Sequence, residues 1–302
     1  MKKFFSIYKG QGKRLWSKTK LLATVGITLV SVNTLCLTLS NRSSTASETT
    51  NSSSSGDFLK TAGIPPLGAN NPACRPDAAH PQPIILVHAT ATVMAQDWSV
   101  LSPALAAKGY CVYALNYGNR ATGPIEDSAQ ELAVFVDNVL ALTGAQKVSI
   151  IGHSQGGMMP RYYIKFLGGV NKVDDLIALA PSNHGTTADE LRFLCARVNF
   201  PLIGPACDQQ VTGSAFMTKL NQDDETPAPV SYTVVTTRYD EIVIPYTSAF
   251  LNGPSERVTN ITLQDYYPLD ITGHVAISYD LNAFKFVFDA LAHPGPAAVN
   301  NR

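Results

Sequence analysis

The residues with the clearest chemical potential form the pentapeptide Gly152-His153-Ser154-Gln155-Gly156. It follows an apolar run from Val148 that predicts a β-strand, and a helical pattern comes after it. A sharp strand-to-helix turn needs small residues on both sides of a serine and presents the hydroxyl at the carboxyl edge of a parallel sheet. The pattern therefore predicts that Ser154 is a nucleophile.

A serine hydroxyl needs a base, and the base needs a group that orients it. In folds built around this turn, the acid and then the histidine follow the serine along the chain. His274 fits best, because it lies between the last predicted strand and the final helical pattern. The other histidines precede the serine, lie within the turn, precede any suitable acid or lie in the tail: His80, His88, His153, His184 and His293.

Three carboxylates compete to orient His274: Asp240, Glu241 and Asp270. Asp240 comes almost directly after a predicted strand, the place from which such a fold reaches the histidine. Glu241 is expected to point elsewhere, and Asp270 lies in the same loop as the histidine. We therefore expect Asp240 to be the acid.

Ester hydrolysis also requires backbone N–H groups aimed at the carbonyl oxygen. The residue after the nucleophile, Gln155, is expected to supply one of them. The turn after the first apolar strand is expected to supply the other through Thr90, whose hydroxyl could add a third hydrogen bond.

Apolar runs that alternate with amphipathic stretches predict a parallel sheet covered by helices. The predicted strands are Ile84–His88, Cys111–Leu115, Val148–Gly152, Leu176–Ala180, Val230–Thr237 and Val258–Leu263. Ser128 and Glu131 match a capping box, which marks a helix start. The expected fold class is α/β, an α/β-hydrolase fold with a mostly parallel central sheet and an insertion between the sixth and seventh core strands. That insertion, residues 183–229, could form part of a substrate cleft, a lid or a surface excursion.

The N-terminal region predicts export. Residues 1–46 hold eight of the 23 basic residues and none of the 23 acidic ones, and an uncharged run covers residues 21–40. This segment is either a signal peptide, cleaved after Ala46, or an uncleaved anchor. Residues 47–65 are expected to be a disordered linker, 66–292 the catalytic domain and 293–302 a flexible tail. The protein is expected to be secreted, or anchored to the membrane only through this segment.

Four cysteines follow the apolar run, and an even set in an oxidising compartment favours disulfides. Of the three possible pairings, we favour Cys74–Cys111 with Cys195–Cys207, because the second closes a short loop within the insertion. The first would tie the segment before the sheet to a core strand.

Composition narrows the class of protein. The chain is 45% hydrophobic and 15% charged, as in a globular protein, and the part after residue 46 has an acidic excess. Such a surface is unlike that of a nucleic-acid-binding protein. We expect a monomer without a cofactor that acts on a lipid or small-molecule ester.

Several motifs resemble those of the bacterial class 2 lipases, which are secreted triacylglycerol lipases and esterases. The resemblance covers residues 66–291 and rests on Cys74-Arg-Pro-Asp-Ala-Ala-His-Pro, Ile85-Leu-Val-His, Gly109-Tyr-Cys-Val-Tyr-Ala-Leu-Asn-Tyr-Gly, Gly152-His-Ser-Gln-Gly-Gly, Ala180-Pro-Ser-Asn-His-Gly and Tyr239-Asp-Glu-Ile-Val. It implies metal-free hydrolysis of acylglycerols or related esters through an acyl-serine intermediate, with Ser154, Asp240 and His274 as the triad.

The sequence departs from the family pattern at Ala89, where the family usually has glycine after the histidine. Glycine can adopt dihedral angles that alanine disfavours, so the sequence leaves open the geometry of the oxyanion loop and its effect on the rate. Two alternatives use the same fold: an acyltransferase with an alcohol acceptor, and an inactive surface binding protein.

Overall fold

The computed structural model describes residues 56–187 and 204–299, which form six parallel strands flanked by helices. The order across the sheet is β2-β1-β3-β4-β5-β6. The strands are β1 (Ile84–Val87), β2 (Val112–Leu115), β3 (Val148–His153), β4 (Val173–Leu179), β5 (Ser231–Thr236) and β6 (Val258–Thr262). Each agrees with a predicted strand to within three residues, and the α/β-hydrolase fold class is confirmed. Counted along this chain, the insertion follows the fourth strand and precedes the fifth.

Strands β1 and β2 consist entirely of apolar residues because helices cover both faces of a parallel sheet. Every residue of β1, β2 and β3 is buried. Strands buried on both faces need no alternation of polar and apolar residues, so a short apolar run is enough to predict them from sequence.

The helices connect the strands and lie against the sheet. They are α1 (Phe58–Thr61), α2 (Met94–Asp97), α3 (Leu101–Ala107), α4 (Ile125–Thr143), α5 (Gln155–Phe166), α6 (Pro205–Gln209), α7 (Ala215–Leu220), α8 (Leu263–Tyr266) and α9 (Leu281–Ala290). Short 3₁₀ turns occur at Gly169–Asn171, Tyr246–Ala249 and Ala276–Tyr279. A further helical turn, Gly118–Ala121, has a positive φ at all four residues and is called the left-handed turn below.

The predicted capping box at Ser128 and Glu131 is wrong. Helix α4 begins three residues earlier, after Pro124, whose fixed φ suits a helix start. The Ser128 hydroxyl donates to the Pro124 carbonyl, and the Glu131 carboxylate accepts from the N–H of Gly118. Ser128 therefore bonds to the backbone of its own helix and Glu131 to the left-handed turn, and neither side chain caps the helix N-terminus.

Parts of the expected linker and tail pack against the domain. Leu59 of α1 and Ala62 belong to the hydrophobic core, although both fall within the predicted linker. In the expected tail, Ala297 is buried and its N–H donates to the Thr233 hydroxyl at 2.9 Å. The apolar residues of these segments bury enough surface to order them, which composition alone did not indicate.

The predicted disulfide between Cys74 and Cys111 is confirmed. It joins the segment before β1 to the residue that precedes β2 and closes a loop with a sequence separation of 37. The second predicted pair includes Cys195, which lies outside the described residues, and stays a prediction. The predicted export segment also lies outside them. Within the described ranges, no helix is long and apolar enough to cross a membrane.

Candidate active site

The turn around Ser154 joins β3 to α5 and places the serine in a backbone conformation that residues other than glycine rarely adopt. Ser154 has φ 55° and ψ −122° and precedes the first residue of the helix. A Cβ at Gly152 would lie 1.8 Å from the carbonyl oxygen of Gly156, and a Cβ at Gly156 would lie 2.2 Å from that of Val87. Only glycine fits at these two positions, so the sequence itself enforces the sharp turn. The outcome is a serine held at the carboxyl edge of the sheet.

This edge is also where the strand order changes direction. The chain passes from β1 outward to β2 and then returns to β3 on the other side of β1. In parallel α/β sheets, ligands bind outside the carboxyl ends of the strands at such a switch point. Residues 88–92, the oxyanion loop, follow β1 there and lie beside the turn that carries Ser154.

His274 and Asp240 meet although 34 residues separate them. The Nδ1 atom of His274 lies 2.9 Å from Oδ2 of Asp240, and both side chains are buried. The other carboxylate oxygen of Asp240 accepts the backbone N–H groups of Ile242 and Val243. The carboxylate is therefore fixed by its own backbone and can orient the imidazole ring.

The neighbouring carboxylates do not occupy the same position. Glu241 accepts the backbone N–H of His274 at 2.8 Å, so it holds the loop and not the ring. Asp270 accepts from Thr272 and Asn282 within the same region of the chain. Burial raises the pKa of Asp270, but these hydrogen bonds together outweigh it and leave the pKa below its ordinary value. Among the three predicted candidates, only Asp240 contacts the ring of His274.

The backbone N–H groups of Thr90 and Gln155 are both available to a ligand. Neither donates a hydrogen bond to any residue that the structure describes. The helix that begins at Gln155 also directs its positive end toward this region. Both predicted N–H groups can therefore donate hydrogen bonds to an oxygen on which negative charge develops.

The side chain of Thr90 is oriented by two amide groups. Its Oγ1 accepts from Nε2 of Gln155 at 3.3 Å and from Nε2 of Gln210 at 3.2 Å. Nε2 of Gln155 also donates to the carbonyl oxygen of Ala121, and Nε2 of Gln210 to that of Ala206. Exchanging the oxygen and nitrogen of either amide would break these hydrogen bonds. With both lone pairs of Oγ1 engaged, the hydroxyl hydrogen remains for a ligand.

The oxyanion loop differs from the expectation for Ala89. Ala89 has no positive φ, whereas Ala91 has φ 63°, so the unusual backbone lies two residues later. The N–H of Ala91 donates to the carbonyl of Arg120, and the Arg120 guanidinium donates back to the carbonyl of Ala91. Arg120 belongs to the left-handed turn, so two strained segments stabilise each other at this edge. Alanine at 89 is compatible with this backbone.

Ser154 and His274 are brought to the same edge without a direct hydrogen bond. Ser154 Oγ has no hydrogen-bond partner within residues 56–187 and 204–299, and such bonds often tighten only when substrate binds. The imidazole rings of His153 and His274 have centroids 5.3 Å apart. Within the same ranges, no group of three or more His, Cys, Asp or Glu side chains could hold a metal ion.

Sequence reasoning missed three polar residues at the site: Asp97, His153 as a side chain with a role of its own, and Gln210. Asp97 accepts the N–H of Ala89, and His153 contacts both Asp97 and the carbonyl of His274. No local spacing connects these residues, because they come from α2, from β3 and from the position directly after α6. The one available signal was a charged residue, Asp97, in an apolar stretch.

The family model of class 2 lipases matches residues 81–283, which include every strand and each predicted catalytic and oxyanion-hole residue. The chain belongs to the class 2 lipase family. Outside the matched region lie residues 1–80, which include α1, and residues 284–302, which include most of α9. The predicted family is therefore confirmed.

Curated relatives match this chain over limited regions. A triacylglycerol lipase of Pseudarthrobacter phenanthrenivorans is 37% identical over 91 residues, which is 28% of each chain. Lipase B of Pseudozyma antarctica is 29% identical over 173 residues, or 55% of this chain and 48% of the relative. The matched region spans about a quarter to a half of these relatives' lengths.

Solved structures share the fold of this chain. Lipase B of Aspergillus fumigatus aligns with a TM-score of 0.66 at 23% identity, over 80% of this chain and 58% of that one. A mature lipase of Bacillus licheniformis aligns with a TM-score of 0.57 at 18% identity, over 74% and 96%. At these identities the alignments establish the architecture.

Proposed function

We propose that this protein is a secreted serine hydrolase that cleaves carboxylic esters of lipids through an acyl-serine intermediate. The observation that carries the proposal is the buried contact between Asp240 and His274 beside the strained turn of Ser154. Membership of the class 2 lipase family and the triacylglycerol lipases among its relatives support the substrate class.

In the proposed reaction, Ser154 Oγ attacks the ester carbonyl carbon while its proton passes to Nε2 of His274. Asp240 stabilises the resulting imidazolium through Nδ1. The negative oxygen of the tetrahedral intermediate accepts the N–H groups of Thr90 and Gln155 and the Thr90 hydroxyl. His274 then gives its proton to the departing alcohol, which leaves an acyl group on the serine.

Deacylation repeats the sequence with water as the nucleophile. His274 takes a proton from the water, and the hydroxide attacks the acyl carbon. Collapse of the second intermediate releases the carboxylic acid and returns the proton to Ser154. Every step uses side chains and N–H groups of this chain.

The surface beside His274 supports a lipid substrate. Residues 268–275, the histidine loop, expose Leu269 and Ile271 by 94% and 80%, and Val275 by more than half. Exposed apolar residues that cluster beside a reactive group commonly mark an interaction site. Acyl chains at a lipid surface would cover them. Secretion is supported by the Cys74–Cys111 disulfide, which is typical of an oxidising compartment.

The test is a hydrolysis panel with p-nitrophenyl esters from acetate to palmitate and emulsified triacylglycerol, measured in water without an added alcohol. We expect turnover by the natural sequence and a loss of at least about a thousandfold in Ser154→Ala. A fluorophosphonate should label the natural protein and not the variant. If Ser154→Ala keeps a tenth of the rate, the nucleophile is misassigned, whereas transfer to an added alcohol without hydrolysis would indicate an acyltransferase.

A further inference from the structure

A second histidine–carboxylate pair lies behind the proposed triad. The Nδ1 atom of His153 is 3.2 Å from Oδ2 of Asp97, and its Nε2 atom is 2.9 Å from the backbone carbonyl oxygen of His274. His153 is 2% exposed and Asp97 is 3% exposed, so water cannot replace either contact. The pair shares no atom with the hydrogen bond between Asp240 and His274.

The contacts of His153 determine where its protons lie. A carbonyl oxygen only accepts, so the contact with His274 requires a hydrogen on Nε2. The same Oδ2 atom of Asp97 already accepts the N–H of Ala89 at 2.7 Å and faces the Thr92 hydroxyl at 3.3 Å. An oxygen with these donors is an ionised carboxylate, so the hydrogen between Asp97 and His153 belongs on Nδ1. Both ring nitrogens of His153 then carry hydrogen, and the ring is an imidazolium.

The electrostatics of both partners agree with this proton count. Burial lowers the pKa of His153, but the charge and hydrogen bond of Asp97 outweigh it and leave the pKa above its ordinary value. Burial raises the pKa of Asp97, and the opposing effects of His153 and Ala89 leave it below its ordinary value. Nearby, Asp240 also raises the pKa of His153. Burial lowers the pKa of the neighbouring His88, so His88 adds little positive charge.

We propose that Asp97 and His153 are positioning residues, a buried carboxylate–imidazolium pair that holds the oxyanion loop and the histidine loop in register around Ser154. Asp97 holds the first loop through the N–H of Ala89, one residue before Thr90. His153 holds the second through the carbonyl of His274 and is itself the residue before Ser154. This role rests on the proposed hydrolase function, whereas the charge state of the pair does not.

The histidine loop needs such an anchor because its outer side chains make little contact with the domain. Leu269 and Ile271 are mostly exposed, so apolar packing does not define the loop's position. His274 is instead fixed by three polar contacts at three different atoms: its ring with Asp240, its N–H with Glu241 and its carbonyl with His153. A shift of about 1 Å at a reacting group can reduce a rate about a hundredfold.

The first experiment measures kcat and KM for Asp97→Asn, His153→Phe and the double variant on a p-nitrophenyl ester. In Asp97→Asn, one amide cannot accept from Ala89 and from an imidazolium as a carboxylate does. We expect kcat to fall about 10- to 100-fold, with KM changed less than about threefold. Because the pair acts as a unit, the double variant should be close to the worse single variant and not to the product of the two.

The matched control is Glu225→Gln. His184 also lies between a carboxylate and a carbonyl, with Nε2 3.1 Å from Glu225 and Nδ1 3.0 Å from the carbonyl of Ser248. That pair does not contact Ser154, His274 or Thr90. Glu225→Gln should therefore lower the melting temperature and leave kcat within about twofold. If Asp97→Asn behaves in the same way, the pair is merely structural and the proposal is overturned.

The second experiment reads the charge directly on the natural protein and does not depend on turnover. With ¹⁵N-labelled histidine, both ring nitrogens of His153 should give the shifts of protonated nitrogen at pH 7, with the ring assigned through its covalent connection to the His153 backbone in the natural protein. A neutral ring at pH 7 overturns the proposal even if the variants fail to fold. If the protein proves inactive on every ester, the hydrolase function fails, while the spectrum still decides whether the charged pair exists.

Discussion

Asp240 and Glu241 are consecutive, yet they hold two different atoms of His274: Asp240 contacts the ring nitrogen at 2.9 Å, and Glu241 accepts the backbone N–H at 2.8 Å. The turn after β5 directs their side chains apart. One carboxylate can therefore set the tautomer of the ring while its neighbour sets the position of the loop.

Asp240→Asn should lose about four orders of magnitude in kcat, because an amide stabilises the wrong tautomer and cannot balance the imidazolium. Glu241→Gln should stay within about tenfold of the natural rate, since the amide oxygen can still accept an N–H. Asp270→Asn should do likewise. Initial rates on one soluble ester, with circular dichroism to verify folding, decide the question. A collapse in Glu241→Gln or Asp270→Asn with Asp240→Asn active would reassign the acid.

Removal of the Thr90 hydroxyl should slow the reaction without weakening substrate binding. Thr90→Val keeps the shape and the backbone N–H but removes the hydrogen left free by Gln155 and Gln210. A donor aimed at an oxyanion is worth about 10²–10³ in kcat. Thr90→Ser retains the hydroxyl and should recover most of the rate. Equal losses in the two variants would show that packing of the methyl group matters, not the hydroxyl.

The elements and the nucleophile could be predicted because their signals are local. Short apolar runs mark the strands, and Gly152 and Gly156 mark a turn that only glycine can form. The contact between Asp97 and His153 joins residues 56 positions apart, and no pattern within either segment refers to the other. The direction of the Thr90 hydroxyl likewise depends on Gln210, 120 residues away.

Local signals also failed where two of them competed. The spacing of Ser128 and Glu131 indicates a helix start, but Pro124 supplies one earlier in the same segment. The linker was predicted from its polar composition, but just after the Ser-rich stretch Leu59 is buried and Phe58 packs against Phe135, and these contacts hold a short helix against the core. In the second case packing decided the boundary, and packing is not visible in a window of a few residues.

Asp175 should make the stability of the fold depend on pH. It lies in β4, is 8% exposed and accepts the Ser149 hydroxyl at 2.8 Å. Burial, opposed by that hydrogen bond, raises its pKa to about 7. The folded state therefore holds a proton that the unfolded state releases near its ordinary pKa. The resulting stability is complete below about pH 4 and is lost as the pH rises through about 7.

Asp175→Asn should remove this dependence, because the amide is neutral at every pH and can still accept from Ser149. Urea unfolding at pH 5 and pH 8 should show the natural protein weakened at pH 8 by an amount on the order of a few kcal/mol relative to the variant. The adjacent Asp174 pairs with Lys147 at the surface, so Asp174→Asn should keep most of the slope. Identical slopes in the natural protein and Asp175→Asn would place the titration elsewhere.

The exposed side chains of the histidine loop should matter only when the ester lies in a lipid surface. A Leu269→Ser, Ile271→Ser double variant removes two apolar side chains that are mostly exposed, so the fold should lose little stability. Each lost side chain removes contact with acyl chains, which is worth about 1.5–3 kcal/mol when fully buried. Activity on emulsified triacylglycerol should therefore fall at least about tenfold, while p-nitrophenyl acetate in solution is hydrolysed as before.

Val134→Ser, at an exposed apolar position on α4, is the control and should affect neither substrate. Equal losses on both substrates would mean that the double variant disturbs His274 itself and that the loop does not bind the lipid surface.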